Sequence, residues 1–152
     1  MKKNFGGFTL IELILVMAII GVLAGVMVVS VNPARQLAKA RDTQRETDIY
    51  SILSAVYQYS AEHSGALPDT DGNPLTSNFP ASLTCIGTNA GCYNLAQAGD
   101  DEETMIPDYM AAMPKDPKTG SDGNTGYLIQ INASKRLVAS ASGETKTITA
   151  TR

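Results

Sequence analysis

The 152-residue chain has one histidine, two cysteines and neither a Gly-x-Ser-x-Gly nor a His-Glu-x-x-His pattern. The common nucleophile and zinc-hydrolase arrangements are therefore missing. His63, beside Glu62 and with no cysteine near it in sequence, reads as a surface helix residue and not as a ligand or base. The sequence supports no enzyme. Positive charge is scarce too: 12 Lys and Arg against 15 Asp and Glu leave a formal charge of −3, without the clustered basic surface of a nucleic-acid-binding protein. The longest absence is of charge of either sign. Residues 13–34 contain none, and at about 1.5 Å of rise per residue they reach roughly 30 Å, the thickness of a bilayer's hydrocarbon core.

Leu, Ile, Val, Met and Ala dominate residues 8–31 with no polar stripe, so that helix expects apolar surroundings on every side: lipid, a partner helix, or each in turn. An ordinary secretory signal has a shorter apolar stretch, roughly 7–15 residues, and a small-x-small exit. Here the run is longer and passes through Asn32-Pro33 into further helix; an uncleaved anchor is the other plain alternative. Glu12 is out of place. An ionised carboxylate at that depth costs on the order of 3 kcal/mol unless it is paired, and no cation follows until Arg35. A cut between Gly7 and Phe8 would create an α-amino group four residues before Glu12, an i, i+4 pair within one helix. Between neighbouring molecules the same two charges would set an axial step.

The segment Lys2-Lys3-Asn4-Phe5-Gly6-Gly7 followed by Phe8-Thr9-Leu10-Ile11-Glu12-Leu13 resembles the processing site of type IV pilins and of type II secretion pseudopilins. The resemblance implies cleavage after Gly7, N-methylation of Phe8, and a role for Glu12 in assembly. It divides the chain into a leader (residues 1–7), a transmembrane and assembly helix (8–32) and an extracytoplasmic pilin-like globular domain (33–152). The implied function is a structural subunit of a type IV pilus or pilus-like filament. A major pseudopilin of a type II secretion system is the alternative, and a tethered binding or enzymatic domain is the competing class. The implied partners are copies of the chain itself in a helical homopolymer, the prepilin peptidase and methyltransferase, an inner-membrane assembly platform, and membrane lipid before assembly; charge gives no reason to expect nucleic acid. The implied location is the cytoplasmic membrane as a single-pass protein, then an extracytoplasmic filament or the cell surface. The basic leader fits the positive-inside rule, and the charge of −3 becomes −5 once Lys2 and Lys3 are gone.

Beyond the apolar run, Asn32-Pro33 predicts a kink or brief interruption. Leu37, Ile49, Ile52, Leu53, Val56 and Tyr57 then recur at helical spacing, and Gly65 marks the end of an amphipathic helix reaching about residue 64. Arg35, Lys39, Arg41 and Arg45 against Asp42 read as a solvated face or as a contact for anionic lipid. Residues 66–99, rich in Pro and Gly, form a long connection, and residues 107–113 predict a short helix. Alternation in residues 127–131, 137–141 and 148–150, with turns at 133–135 and 142–144, predicts an antiparallel meander packed on the helix stripe. The fold class is α+β: a long N-terminal helix on a small C-terminal antiparallel sheet, the pilin fold.

Cys85 and Cys92 enclose six residues, two of them glycine. An exported domain favours a disulfide there, since two thiols with no nearby histidine make a poor zinc set. No cofactor is required by the sequence. The acidic stretch Asp69-Thr70-Asp71-Gly72-Asn73 fails EF-hand spacing, because glycine falls at the fourth loop position. Asp116, Asp122 and Asn124 form a second acidic loop. Major pseudopilins, which the chain resembles, bind calcium in a loop near the C-terminal sheet, so these three residues are the candidate Ca²⁺ ligands; a plain Gly/Asp turn is the first reading.

Overall fold

The computed structural model describes residues 6–72, 77–100 and 103–152. Its chain divides into two compact units, Met1–Leu37 and Ala38–Arg152. Helix α1, Leu10–Val31, starts at Thr9, an extended N-cap residue, and stops at Asn32, whose φ of 44° is left-handed. That interruption falls where Asn32-Pro33 predicts it. The Asn32 side-chain oxygen accepts the Arg35 amide at 3.2 Å and so caps the next helix, whose first residue is a proline with no amide hydrogen to satisfy.

Helix α2, Pro33–Glu62, buries Ile49, Ile52, Leu53, Ala55, Val56 and Tyr59. It closes through Ser64 and Gly65, both at positive φ, two residues earlier than its sequence suggests. The apolar stripe is also narrower than expected, because Leu37 is 59% and Tyr57 41% exposed. A four-stranded antiparallel sheet follows in the order β1 (Thr84–Cys85), β2 (Tyr127–Ile131), β3 (Leu137–Ser142), β4 (Thr147–Thr151). The three longer strands match the expected meander, with Ile129 opposite Ala139 and Ala139 opposite Ala150. β1 went unread, since two residues are too few to show alternation.

Tyr127, Ile129, Leu137, Ala139, Ala141, Ile148 and Ala150 share one buried cluster with the α2 stripe. The long connection contributes Phe79, Ile86, Tyr93, Leu95 and Ala98 to that core. It is irregular but not loose. Tyr93 donates its buried hydroxyl to the Pro68 carbonyl, and the Gly99 amide bonds to the Asp69 carbonyl at 2.7 Å. The short helix expected at residues 107–113 is instead a single wide turn at Met105–Tyr109, interrupted by Ile106 at φ −126°, ψ 125°. A residue before proline is pushed out of the helical region.

Candidate functional site

At the N-terminal end, Gly6 and Gly7 are exposed with nothing packed near them, and Phe8 is 89% exposed. The peptide bond between Gly7 and Phe8 thus lies on open, non-helical chain just ahead of α1. Thr9 and Glu12 make a reciprocal cap. The Thr9 amide and hydroxyl both donate to Glu12 Oε2 at 2.9 Å, and the Glu12 amide donates to Thr9 Oγ1 at 3.3 Å. Sequence reasoning looks to a cation for Glu12, the Phe8 amine of its own chain or of a neighbour; the structure supplies two donors from Thr9. The signal was legible as Thr-x-x-Glu ahead of an apolar run, the capping-box pattern.

From Leu10 to Ser30, α1 is long and apolar enough to cross a membrane, and none of it is buried. Side chains on all its sides, among them Leu10, Leu15, Ile20, Val26 and Val29, are more than half exposed. Gly21 and Gly25 leave open space above the backbone, and a shallow groove there is lined by Val22, Val26, Val29 and Ser30.

Within the second unit, the disulfide expected between Cys85 and Cys92 is present, with Cα atoms 4.6 Å apart. It closes a loop that lies on residues 122–123: the Thr88 and Asn89 amides donate to the Asp122 and Gly123 carbonyls at 3.0 and 2.9 Å. Gly87 is required at this contact, because a Cβ there would sit 2.3 Å from the Gly123 carbonyl oxygen.

The loop that holds the candidate calcium ligands is organised around an arginine. Arg45, 2% exposed, binds Asp116 through Nε at 2.5 Å and Nη2 at 3.2 Å, and Asp42 through Nη1 at 2.7 Å. Asp116 Oδ1 also accepts the Lys118 and Thr119 amides at 2.8 and 2.9 Å. Asp122 is paired with Lys115 at 2.6 Å, and Asn124 Oδ1 accepts the Gly126 amide at 2.9 Å. Both Asp116 oxygens are occupied by donors, one a cation, and the other two residues face different partners. No group of three or more His, Cys, Asp or Glu placed to hold a metal ion occurs among the described residues. As arranged, the set does not fit Ca²⁺, which needs six to eight converging oxygens.

Arg45 and Asp42 also correct the expectation of a solvated or lipid-facing basic stretch. Asp42 accepts the Glu144 and Thr145 amides at 2.8 and 2.7 Å, and Glu144 binds Arg41 at 2.5 Å and Lys118 at 3.1 Å. The Arg45 guanidinium holds the Asp116 carboxyl well below the usual range. Burial alone would raise Asp42, but the Thr145 hydroxyl and the two amides outweigh it and lower the group. Hydrogen bonds from Arg41 and Lys118 bring Glu144 to about 2. A signal for this cluster was present: residues 42, 45, 49, 52 and 56 step by three or four along one helix face, so these charges continue the apolar stripe. Sequence reasoning reads a charge as exposed by default and passes over it.

The layout is that of a pilin-like α+β protein: an apolar N-terminal helix, a second helix, then a small four-stranded antiparallel sheet. Residues 2–28 match the prokaryotic N-terminal methylation motif. The chain thus carries the processing signal found in type IV pilins and pseudopilins, and its helix-then-sheet layout is similar to theirs. No curated protein and no solved structure matches it.

Proposed function

We propose that the protein is a filament subunit, stored in the cytoplasmic membrane and assembled through α1 into a pilus or pilus-like fibre outside it. The observation that carries this reading is the wholly unburied apolar helix that the methylation motif largely covers. Each Leu, Ile or Val taken from lipid into water without cover costs about 1.5–3 kcal/mol. Only a second apolar environment makes the exit feasible, and other copies of α1 supply one. Prepilin peptidase cuts between Gly7 and Phe8, removing Lys2 and Lys3, which tie the end to the cytoplasmic side. The freed and methylated Phe8 amine is the cation that Glu12 then meets through the oxygen Thr9 leaves open.

Intact mass of the purified protein is expected to show loss of residues 1–7 and gain of one methyl group, and electron microscopy is expected to show fibres. Retention of the heptapeptide in cells that hold the peptidase would sink the proposal. Glu12→Ala is expected to insert normally while lowering filament yield at least about tenfold, the size of one lost charge-assisted contact; normal fibres from it remove the charge-pairing step. A pilus subunit and a secretion pseudopilin are then separated by phenotype, loss of surface fibres against loss of exported proteins.

A further inference from the structure

We propose that Asn132 carries an N-linked sugar chain, attached on the turn between β2 and β3. Asn132-Ala133-Ser134 is the one place in the chain where asparagine stands two residues before Ser or Thr with a residue other than proline between them. That is the pattern from which a sugar transferase takes its acceptor amide. Three-residue patterns recur by chance, so the geometry of the turn decides whether this one can be used.

Asn132 builds the turn it sits on. Its side-chain Oδ1 accepts the Ser134 amide at 3.0 Å and the Arg136 amide at 2.9 Å. Its backbone amide donates to the Arg136 carbonyl and its carbonyl accepts the Lys135 amide, both at 2.9 Å. The contact from Oδ1 to the amide two residues on is an Asx turn. Oδ1 is thus committed to the fold, whereas Nδ2 donates to no group among the described residues. Asn78 and Asn94 differ: Nδ2 of the first donates to Thr70 Oγ1 and Nδ2 of the second to Gln97 Oε1, both at 2.7 Å. Two donors on Oδ1 also draw electron density toward the oxygen, which makes the Nδ2 protons easier to remove.

The approach to Nδ2 is open. Ala133, Ser134, Lys135 and Arg136 are all exposed, and the charge they present is positive, the sign that suits an anionic sugar donor. The step is a group transfer with nothing oxidised or reduced. Nδ2 bonds to the anomeric carbon of a sugar held on a polyprenyl diphosphate. The bond from that carbon to the diphosphate oxygen breaks, its electron pair leaves with the diphosphate, and Nδ2 gives one proton to a base of the transferase. The product keeps the amide carbonyl, so both bonds to Oδ1 survive and the turn with them. The sugar then stands in solvent at the end of the sheet, where a bulky hydrophilic group is tolerated and adds solubility. Access to such a membrane-held donor rests on the export of residues 33–152 proposed above.

The test is the mass of the full-length protein purified in detergent from its own cells, intact and as proteolytic peptides. The expected spectrum exceeds the leader-free, methylated chain by whole sugar residues, with excess on the peptide that contains Asn132. Asn132→Gln and Ser134→Ala are each expected to remove that excess completely, and Ser134→Thr to retain it. Ser134→Ala leaves Asn132 and its bonds in place, so loss of sugar in that variant is not the result of a broken turn. A peptide of unmodified mass at Asn132 overturns the site, and so does an excess on it that survives either loss variant. Retention of residues 1–7, read in the same spectrum, bears on the filament reading alone.

Discussion

Helices α1 and α2 adjoin in sequence and solve opposite problems. α1 holds one charge, Glu12, satisfies it with Thr9 three residues away, and leaves its apolar side chains uncovered. α2 carries charge along most of its length and buries Arg45, Asp42 and Asp48 beside its apolar stripe. Asp48 accepts the buried Tyr127 hydroxyl at 2.6 Å and the Gln44 amide at 2.7 Å. The contrast teaches that where a side chain ends up depends on what can be brought to it. A local cap suffices for one carboxylate at a helix start, while a buried guanidinium needs carboxylates delivered from residues 116 and 144, far along the chain.

The largest expected effect tests the buried side of that contrast. Arg45→Ala leaves Asp42 and Asp116 buried without their cation and is expected to cost about 3–5 kcal/mol, read as a fall in the melting temperature of the full chain. A loss under about 1 kcal/mol would mean that water replaces the guanidinium. Acid acts on the same cluster more gradually. Asp42, Asp116 and Glu144 are all held below the ordinary carboxylate range, so the unfolded chain takes up protons first as pH falls below about 4.5. Their stabilisation is complete above that value and fades toward pH 2 and below, which denaturant melts at stepped pH will follow.

Replacing Cys85 and Cys92 by serine is expected to cost about 2–3 kcal/mol at most, the chain-entropy value for so short a loop, with hydrogen exchange rising first at the Thr88 and Asn89 amides. On the α1 side, Thr9→Val removes a cap worth about 1 kcal/mol and should fray the first turn by NMR without moving the melting of the Ala38–Arg152 unit. The smallest effect is calcium. Added at millimolar concentration it is expected to leave the melting temperature unchanged, because Arg45 already occupies Asp116; a rise would show that Asp116 can be released to a metal.

Much of the molecule was legible in its residues. The uncharged span at 13–34, the Asn32-Pro33 break, the three alternating strands and the cysteine loop are each local patterns, and each appears in the structure. Less legible were elements too short to have a period, such as β1, and contacts that join distant segments. Thr9 as the partner of Glu12 was within reach of the Thr-x-x-Glu spacing and was passed over because attention went to charge. The role of the 116–126 loop was not legible, because acidic residues in a turn look alike in sequence whether a metal, an arginine or only solvent faces them.

The order of elements and the membrane-compatible helix follow from local chemistry alone, since backbone preference, hydrophobic period and length act within a few residues of each other. The burial of Arg45, the neutralisation of Asp116, and the meeting of His63 with Asp100 and of Tyr109 with Glu62 depend on folding that brings together positions 37 to 99 residues apart. Coulombic and hydrogen-bond energies are set by distance in space, and a one-dimensional string does not contain those distances.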